Sequence, residues 1–250
     1  MIPLSDEHTT LRPPVMTYAI IAANVITWLL IQGAGFNEPV LAASVCNYGM
    51  VPGELTGIAA LGSGVPLGPG MACIIDNEPI NKLTPLTSMF LHGSWMHLIF
   101  NMLYMWVFGN NIEDSMGSGR FLAFYLICGL AASAAHVMVG PGSPVPTVGA
   151  SGAISGVMGA YLVLYPKIRV KMFIPPLFVI RIRAWIVLLW WIFGQVLSGL
   201  PEVTRMRPEV SSGVAFWAHI GGFVAGLALV KVFENRRLVA ARAVPGEFVT

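Results

Sequence analysis

Gly149-Ala150-Ser151-Gly152-Ala153-Ile154-Ser155-Gly156, running on through Val157-Met158-Gly159-Ala160-Tyr161, is the stretch whose reading decides the fold. A serine among small residues follows a loop carrying Pro141, Pro144 and Pro146 and opens an apolar segment. Its hydroxyl therefore sits where the first N–H groups of a helix lack intrahelical partners, a place that favours an oxyanion. Taken alone, the octet also has a plainer reading, in which Gly, Ala and Ser only let membrane helices approach closely. The context around it chooses between the two.

Of the 250 residues, 56% are hydrophobic and only 10% charged, and the mean hydropathy is +0.73. That is not the composition of a soluble domain but of a polytopic membrane protein. The net charge of +2 is too small to point to a partner, and no basic stripe or nucleic-acid motif is present, so no nucleic acid is expected. The tail before Met16 holds Asp6, Glu7, Arg12, Pro13 and Pro14, and no small-residue cleavage site follows the run to Ile31. This run is expected to be a retained helix and not a signal peptide.

Six apolar segments emerge, at about 15–33, 92–110, 120–139, 149–166, 183–200 and 214–233. Each is near the ~20 residues that cross a ~30 Å hydrocarbon core, the fourth being short. With the N-terminus in the cytoplasm, every Lys and Arg falls inside except Lys82, Arg205 and Arg207, so both termini are expected to be cytoplasmic. Segments two, four and six then run parallel to one another. The expected fold class is an all-α polytopic membrane protein, one domain over 1–250. Residues 34–91 form a long external loop, rich in Gly and Pro, which holds Cys46 and Cys73; a disulfide between them and two free thiols are both open.

Inside the segments the ionisable groups are His97, His136 and His219, with His92 at the mouth of the second; all 12 Asp and Glu residues lie in loops, tails or helix ends. An imidazole in a spanning segment marks a site or a wet cavity. At ~1.5 Å per residue, Ser151 and His97 both stand ~24 Å above the inner boundary, and Asn101 and His219 both ~18 Å. Side chains lean toward a helix's N-terminus, so all four tilt toward the outer face and can converge beneath it. His136 is expected to be packed or interfacial, His92 a structural hydrogen-bonder for the external loop, and Trp190, Trp191 and Phe193 to contact lipid.

A serine hydroxyl needs a base, and among these deep groups only histidine titrates near neutrality. His97 and Asn101 share a helix face, which suits two donors aimed at one oxyanion, with the Ser151 N–H as a third. His219 stands beside a ridge of Ala218, Gly222 and Gly226 that can pack on Gly152, Gly156 and Gly159, bringing imidazole to hydroxyl. His219 is therefore the expected base. With no buried carboxylate in the segments the arrangement is a dyad, although the external Asp76, Glu202 and Glu209 stay open as a third member. His92 and His97 are five apart with no Glu between them, unlike a zinc motif, so neither metal nor cofactor is expected.

These residues resemble the rhomboid intramembrane serine proteases over nearly the whole chain. The resemblance rests on Gly149-Ala150-Ser151-Gly152 in the fourth segment, on Ala218-His219 with Gly222 and Gly226 in the sixth, and on His92, His97 and Asn101 in the second, followed by Phe108-Gly109 and Glu113. It implies a six-transmembrane-helix rhomboid-like bundle with Ser151 as nucleophile, His219 as base, and His97, Asn101 and the Ser151 amide as the oxyanion hole. It further implies a fifth helix and loop 200–213 that gate and cap the site. Substrates would be single-span membrane proteins, cut near the extracytoplasmic face of what is expected to be a bacterial plasma membrane. Many members carry Trp-Arg before the second helix where Leu83-Thr84 stands here, and some carry an aromatic four residues after the nucleophile, where this chain has Ser155. Two other classes compete: a catalytically silent scaffold that binds transmembrane helices, which an intact Ser151/His219 pair disfavours, and a transporter, which the lack of a buried acid disfavours.

Overall fold

The structure, a computed structural model, describes residues 2–68, 70–176, 178–204 and 215–242. In chain order the elements are β1 (Ile2–Asp6), α1 (Val15–Ile26), α2 (Glu38–Tyr48), α3 (Pro52–Thr56), β2 (Gly64–Gly68), β3 (Met71–Ile74), α4 (Thr84–Thr87), α5 (Trp95–Tyr104), α6 (Asn110–Met116), α7 (Ser118–Val139), α8 (Ser151–Leu164), β4 (Arg169–Ile174), β5 (Phe178–Arg183), α9 (Ala184–Val203), α10 (Phe216–Phe233) and α11 (Arg236–Arg242). A π-turn at Thr27–Ile31 prolongs α1, and another at Met105–Gly109 joins α5 to α6. Among the described residues three helical stretches, Ser118–Val139, Ala184–Pro201 and Phe216–Phe233, are long and apolar enough to cross a membrane; Val15–Ile31 and Ser151–Leu164 are shorter apolar helices.

The core explains why α8 can be short. Every residue from Gly152 to Tyr161 is buried, so this helix is surrounded by protein on all sides and needs no apolar stripe of its own. Its small residues let α10 in. A Cβ on Gly222 would lie 2.0 Å from the Gly152 carbonyl oxygen, and one on Gly226 would lie 2.0 Å from that of Gly156. The expected ridge of Ala218, Gly222 and Gly226 thus meets the fourth segment backbone to backbone.

Helices α5, α8 and α10 run the same way. Ser151, His97 and His219 all fall in the first turn of their helices and meet at one end. At the other end Ser115 bonds the Tyr165 hydroxyl and its carbonyl accepts from Asn235 N–H at 2.9 Å. That far end is tied by carboxylates. Glu113, buried, accepts from Met16 N–H at 2.8 Å, Thr17 N–H at 2.7 Å and the Thr17 hydroxyl at 2.8 Å. In this way it satisfies the orphan donors of the first turn of α1. Asp114 pairs with Arg12 at 2.9 Å.

The all-α expectation omits two small sheets. Strands β1, β4 and β5 form an antiparallel sheet in that order, and β2 and β3 a hairpin. Arg169-Val170-Lys171-Met172 alternates polar with apolar before the apolar pair Phe173-Ile174, and Val170 and Met172 are buried. That period of two becomes a strand once β1 and β5 supply partners.

The long loop 34–91 is built, not loose. Cys46 and Cys73 are joined in a disulfide, with Cα atoms 5.2 Å apart, which settles the pairing left open by the sequence. Met50 and Thr147 exchange backbone bonds of 2.9 and 2.8 Å, and the Gly149 N–H donates to the Ser88 carbonyl at 2.9 Å. The last of these fixes the approach to Ser151. At the departure from the family pattern, Leu83 is exposed while Thr84 is buried and donates to Asn81 O at 2.7 Å.

Candidate active site

Ser151 opens α8, held there by the chain before it. Gly149 has φ +132°, a conformation that L side chains rarely adopt. A Cβ at that position would also stand 2.8 Å from His97 Nε2 and 3.4 Å from Ser151 Oγ. Glycine is therefore required twice, by backbone and by space. It lets the ring of His97 and the hydroxyl of Ser151 flank one point.

His219 lies one helical turn into α10, and its Nε2 is 2.8 Å from Ser151 Oγ. The glycine contacts of α8 with α10 set that distance. On the other side His219 Nδ1 lies 2.7 Å from Gln195 Oε1, and the Trp191 ring lies over the imidazole with centroids 5.7 Å apart. One proton arrangement satisfies both bonds: Nδ1–H donates to Gln195 Oε1, and the serine O–H donates to Nε2.

His97 and Asn101 stand one turn apart on α5, whose start is capped by Ser94 Oγ accepting from His97 N–H at 3.1 Å. Gly93 N–H donates to His97 Nδ1 at 3.4 Å, which leaves the proton on Nε2, facing Gly149 and Ser151. Asn101 Nδ2 is buried with no acceptor among the described residues. A buried amide donor of this kind normally costs ~1–3 kcal/mol, so an orphan here is a poised donor or a defect.

All four groups line one cavity of about 790 Å³, together with His136 and Trp191, and the cavity runs on past Tyr104 and Met158 to Ile2 of β1. No Asp, Glu, Lys or Arg among the described residues lines it. The arrangement can do one thing chemically. It can take a proton from the Ser151 hydroxyl and offer N–H groups to negative charge developing beside it.

Other expectations fare differently. His136 is buried and its Nε2 lies 3.1 Å from the Thr147 hydroxyl, a packed histidine as read. His92 is buried, but its ties to the first segment run through its backbone, whose N–H and C=O each bond the Gln32 amide at 2.8 Å. Its ring instead sits edge-on to His97, 5.1 Å between centroids. Trp190 and Phe193 are exposed, as lipid contact requires, but Trp191 turns inward to His219. Asp76 is engaged within its own loop, accepting from Asn81 Nδ2 at 2.8 Å. Glu209, the side chain of Glu202 and most of the cap loop, with Arg205, Arg207, Pro208 and Gly213, lie outside the described residues.

Gln195 is the site neighbour that sequence reading missed. It carries no charge and belongs to no motif, so a search for ionisable groups passes over it. Its spacing of four from Trp191 is the signal that could have found it.

The arrangement defines a class: a helical membrane protein with a hydrogen-bonded serine and histidine in a cavity at one end. A sequence profile of the Rhomboid domain matches residues 81–236, and the chain belongs to the rhomboid family. It is similar to the Rhomboid protease GluP of Bacillus subtilis, 34% identical over 163 residues that make up 64% of this chain and 26% of that protein. Rhomboid protein 1, mitochondrial, of Saccharomyces cerevisiae is 31% identical over 105 residues, 38% of this chain and 29% of that one. RHOMBOID-like protein 6, mitochondrial, of Arabidopsis thaliana is 33% identical over 138 residues, 50% and 44% of the two chains. The chain thus spans less than half the length of each of these relatives.

Proposed function

We propose that this chain is an intramembrane serine endopeptidase that cuts transmembrane segments of single-span membrane proteins near the extracytoplasmic face. The reading is carried by the 2.8 Å contact of His219 Nε2 with Ser151 Oγ inside the cavity that His97 and Asn101 also line. As Ser151 Oγ attacks the scissile carbonyl, its proton passes to His219 Nε2 and the carbonyl oxygen becomes an oxyanion. The Ser151 N–H, His97 Nε2–H and Asn101 Nδ2–H receive that charge, which gives the unpaired Asn101 donor its purpose. The imidazolium then gives its proton to the leaving amine, and the Ser151 ester remains. Water, deprotonated by His219, releases the acyl group and restores the hydroxyl.

Six crossings, formed by α1, the continuous α5–α6, α7, α8, α9 and α10, make one membrane domain, with α9 and loop 200–213 as gate and cap. The concentration of Lys and Arg at the far end supports cytoplasmic termini and a site that opens outward, in a bacterial plasma membrane. A helix hides its carbonyls in i, i+4 bonds, so the substrate must unwind locally to be cut. The testing experiment is capture by a fluorophosphonate reagent in detergent, together with cleavage of single-span substrates. Capture and cleavage lost together on Ser151→Ala support the enzyme. Failure of the wild-type chain to react or cleave leaves a scaffold that binds transmembrane helices.

A further inference from the structure

The imidazole of His219 has two nitrogens, and one faces Ser151. That nitrogen can accept a proton only if the other carries one, so something must hold the proton on Nδ1. Among the described residues no carboxylate lines the cavity; its other titratable groups are His97 and Tyr104 on α5 and His136 on α7. The acceptor at Nδ1 is Gln195 Oε1, at 2.7 Å. When His219 takes the serine proton, this bond becomes charge-assisted, so it strengthens on the way to the transition state.

The same helix supplies the other restraint. Position 155, four after the serine, is a buried serine whose hydroxyl donates to the Ser151 carbonyl at 2.6 Å and so offers the base no ring. The ring comes from Trp191, which packs on His219 and, at 6.2 Å between centroids, on Phe223. Trp191, Gln195 and Gly199 follow one another at intervals of four, a single stripe along α9 facing α10. At its outer end the Trp217 Nε1–H donates to the Gly199 carbonyl at 3.1 Å. Trp190, Phe193 and Leu197, on the remaining faces, are exposed.

We propose that Gln195 is the positioning residue of the Ser151–His219 pair. Because it rides on α9 with Trp191, the base is set for proton transfer only while the outer half of α9 lies against α10. This rests on the protease reading above. An α9 swung away admits a substrate helix but leaves the imidazole without its proton-ordering acceptor and its ring. Hydrolysis therefore follows re-docking of α9, and the gate is also the switch of the base.

The test uses the full chain in detergent and in proteoliposomes, with a single-span substrate. Gln195→Leu, similar in size and without an acceptor, should lower kcat by about 10–100-fold and slow fluorophosphonate capture in parallel, with KM changed by less than about twofold. Gln195→Glu should restore most of kcat and move the acid limb of the pH–rate profile to higher pH, since a carboxylate keeps the imidazolium protonated further up the scale. A Gln195→Leu chain with wild-type thermal unfolding, kcat and acid limb overturns the assignment while leaving the protease intact; so does a Gln195→Glu chain that folds but restores nothing. A wild-type chain that neither reacts nor cleaves removes the enzyme itself. For the link to α9, a Cβ on Gly199 would lie 3.3 Å from that of Phe216, close to the spacing a disulfide needs. The oxidised Gly199→Cys/Phe216→Cys chain should keep capture of the small reagent and lose substrate cleavage, which returns on reduction. Loss of capture in the oxidised form overturns the coupling.

Discussion

Helix α10 presents two sides to its neighbours, and they are built on opposite principles. Toward α8 it is nearly all backbone: Gly222 and Gly226 leave no room for a single methyl group, and Gly159 is nearly as close to the Phe223 carbonyl, 2.3 Å from where its Cβ would be. Toward α9 it meets mainly side chains, those of Trp191 and Gln195, with one close approach at Gly199, whose Cβ would lie 3.3 Å from that of Phe216. The first interface has no slack, because close-packed backbones have nowhere to yield. The second can open at the cost of a few polar and ring contacts. In the proposed reaction the Ser151–His219 pair is therefore set by the stiff side and its proton order by the soft one, which separates where the atoms are from when they are ready.

The contrast can be broken first at its stiff side. Gly222→Val should push α10 off α8, abolish cleavage and lower the unfolding temperature, an overpacking cost of at least ~3 kcal/mol; a variant that melts and cleaves like wild type would show the interface to be compliant. On the soft side, Trp191→Leu should leave folding nearly intact and cut kcat about 2–10-fold, the worth of one ring pair. Steady-state cleavage and a melting curve on one sample separate the two behaviours. Smaller still, Trp217→Phe removes the indole donor to Gly199 and should alter turnover by no more than about fivefold, with KM for a transmembrane substrate more affected than capture of a small reagent. The smallest effect on turnover belongs to the disulfide, which touches neither side. Cys46→Ser/Cys73→Ser should leave kcat unchanged while costing ~3 kcal/mol of stability by releasing a loop of 27 residues, seen as a lower melting temperature.

Much of this could be read from the residues because it depends on local rules. The depth of a side chain follows from counting along a helix, so Ser151, His97, Asn101 and His219 fall at levels that meet. The glycine ridge states its purpose by spacing alone. What escaped is what depends on partners far along the chain. Val170 and Met172 look like loop residues until Ile2–Asp6 arrives to pair with them, and Trp191 looks lipid-facing until α10 turns it inward. Gln195 escaped for a chemical reason: an uncharged amide in an apolar segment carries no titration to flag it, yet its acceptor is what a neutral imidazole requires. The cysteine pairing was undecidable by count, since only the approach of α2 to β3 brings the thiols together.

One feature at the far end bears on biogenesis. Ile2 pairs with Phe173, and Asp6 with Val170, so a strand made before α1 waits for one made after α8 before its backbone amides find acceptors. Long-range pairing of this kind closes slowly. The little sheet is thus a stitch drawn tight late in synthesis, and pulse-labelled amide exchange should find Ile2–Asp6 unprotected in nascent chains truncated before residue 169.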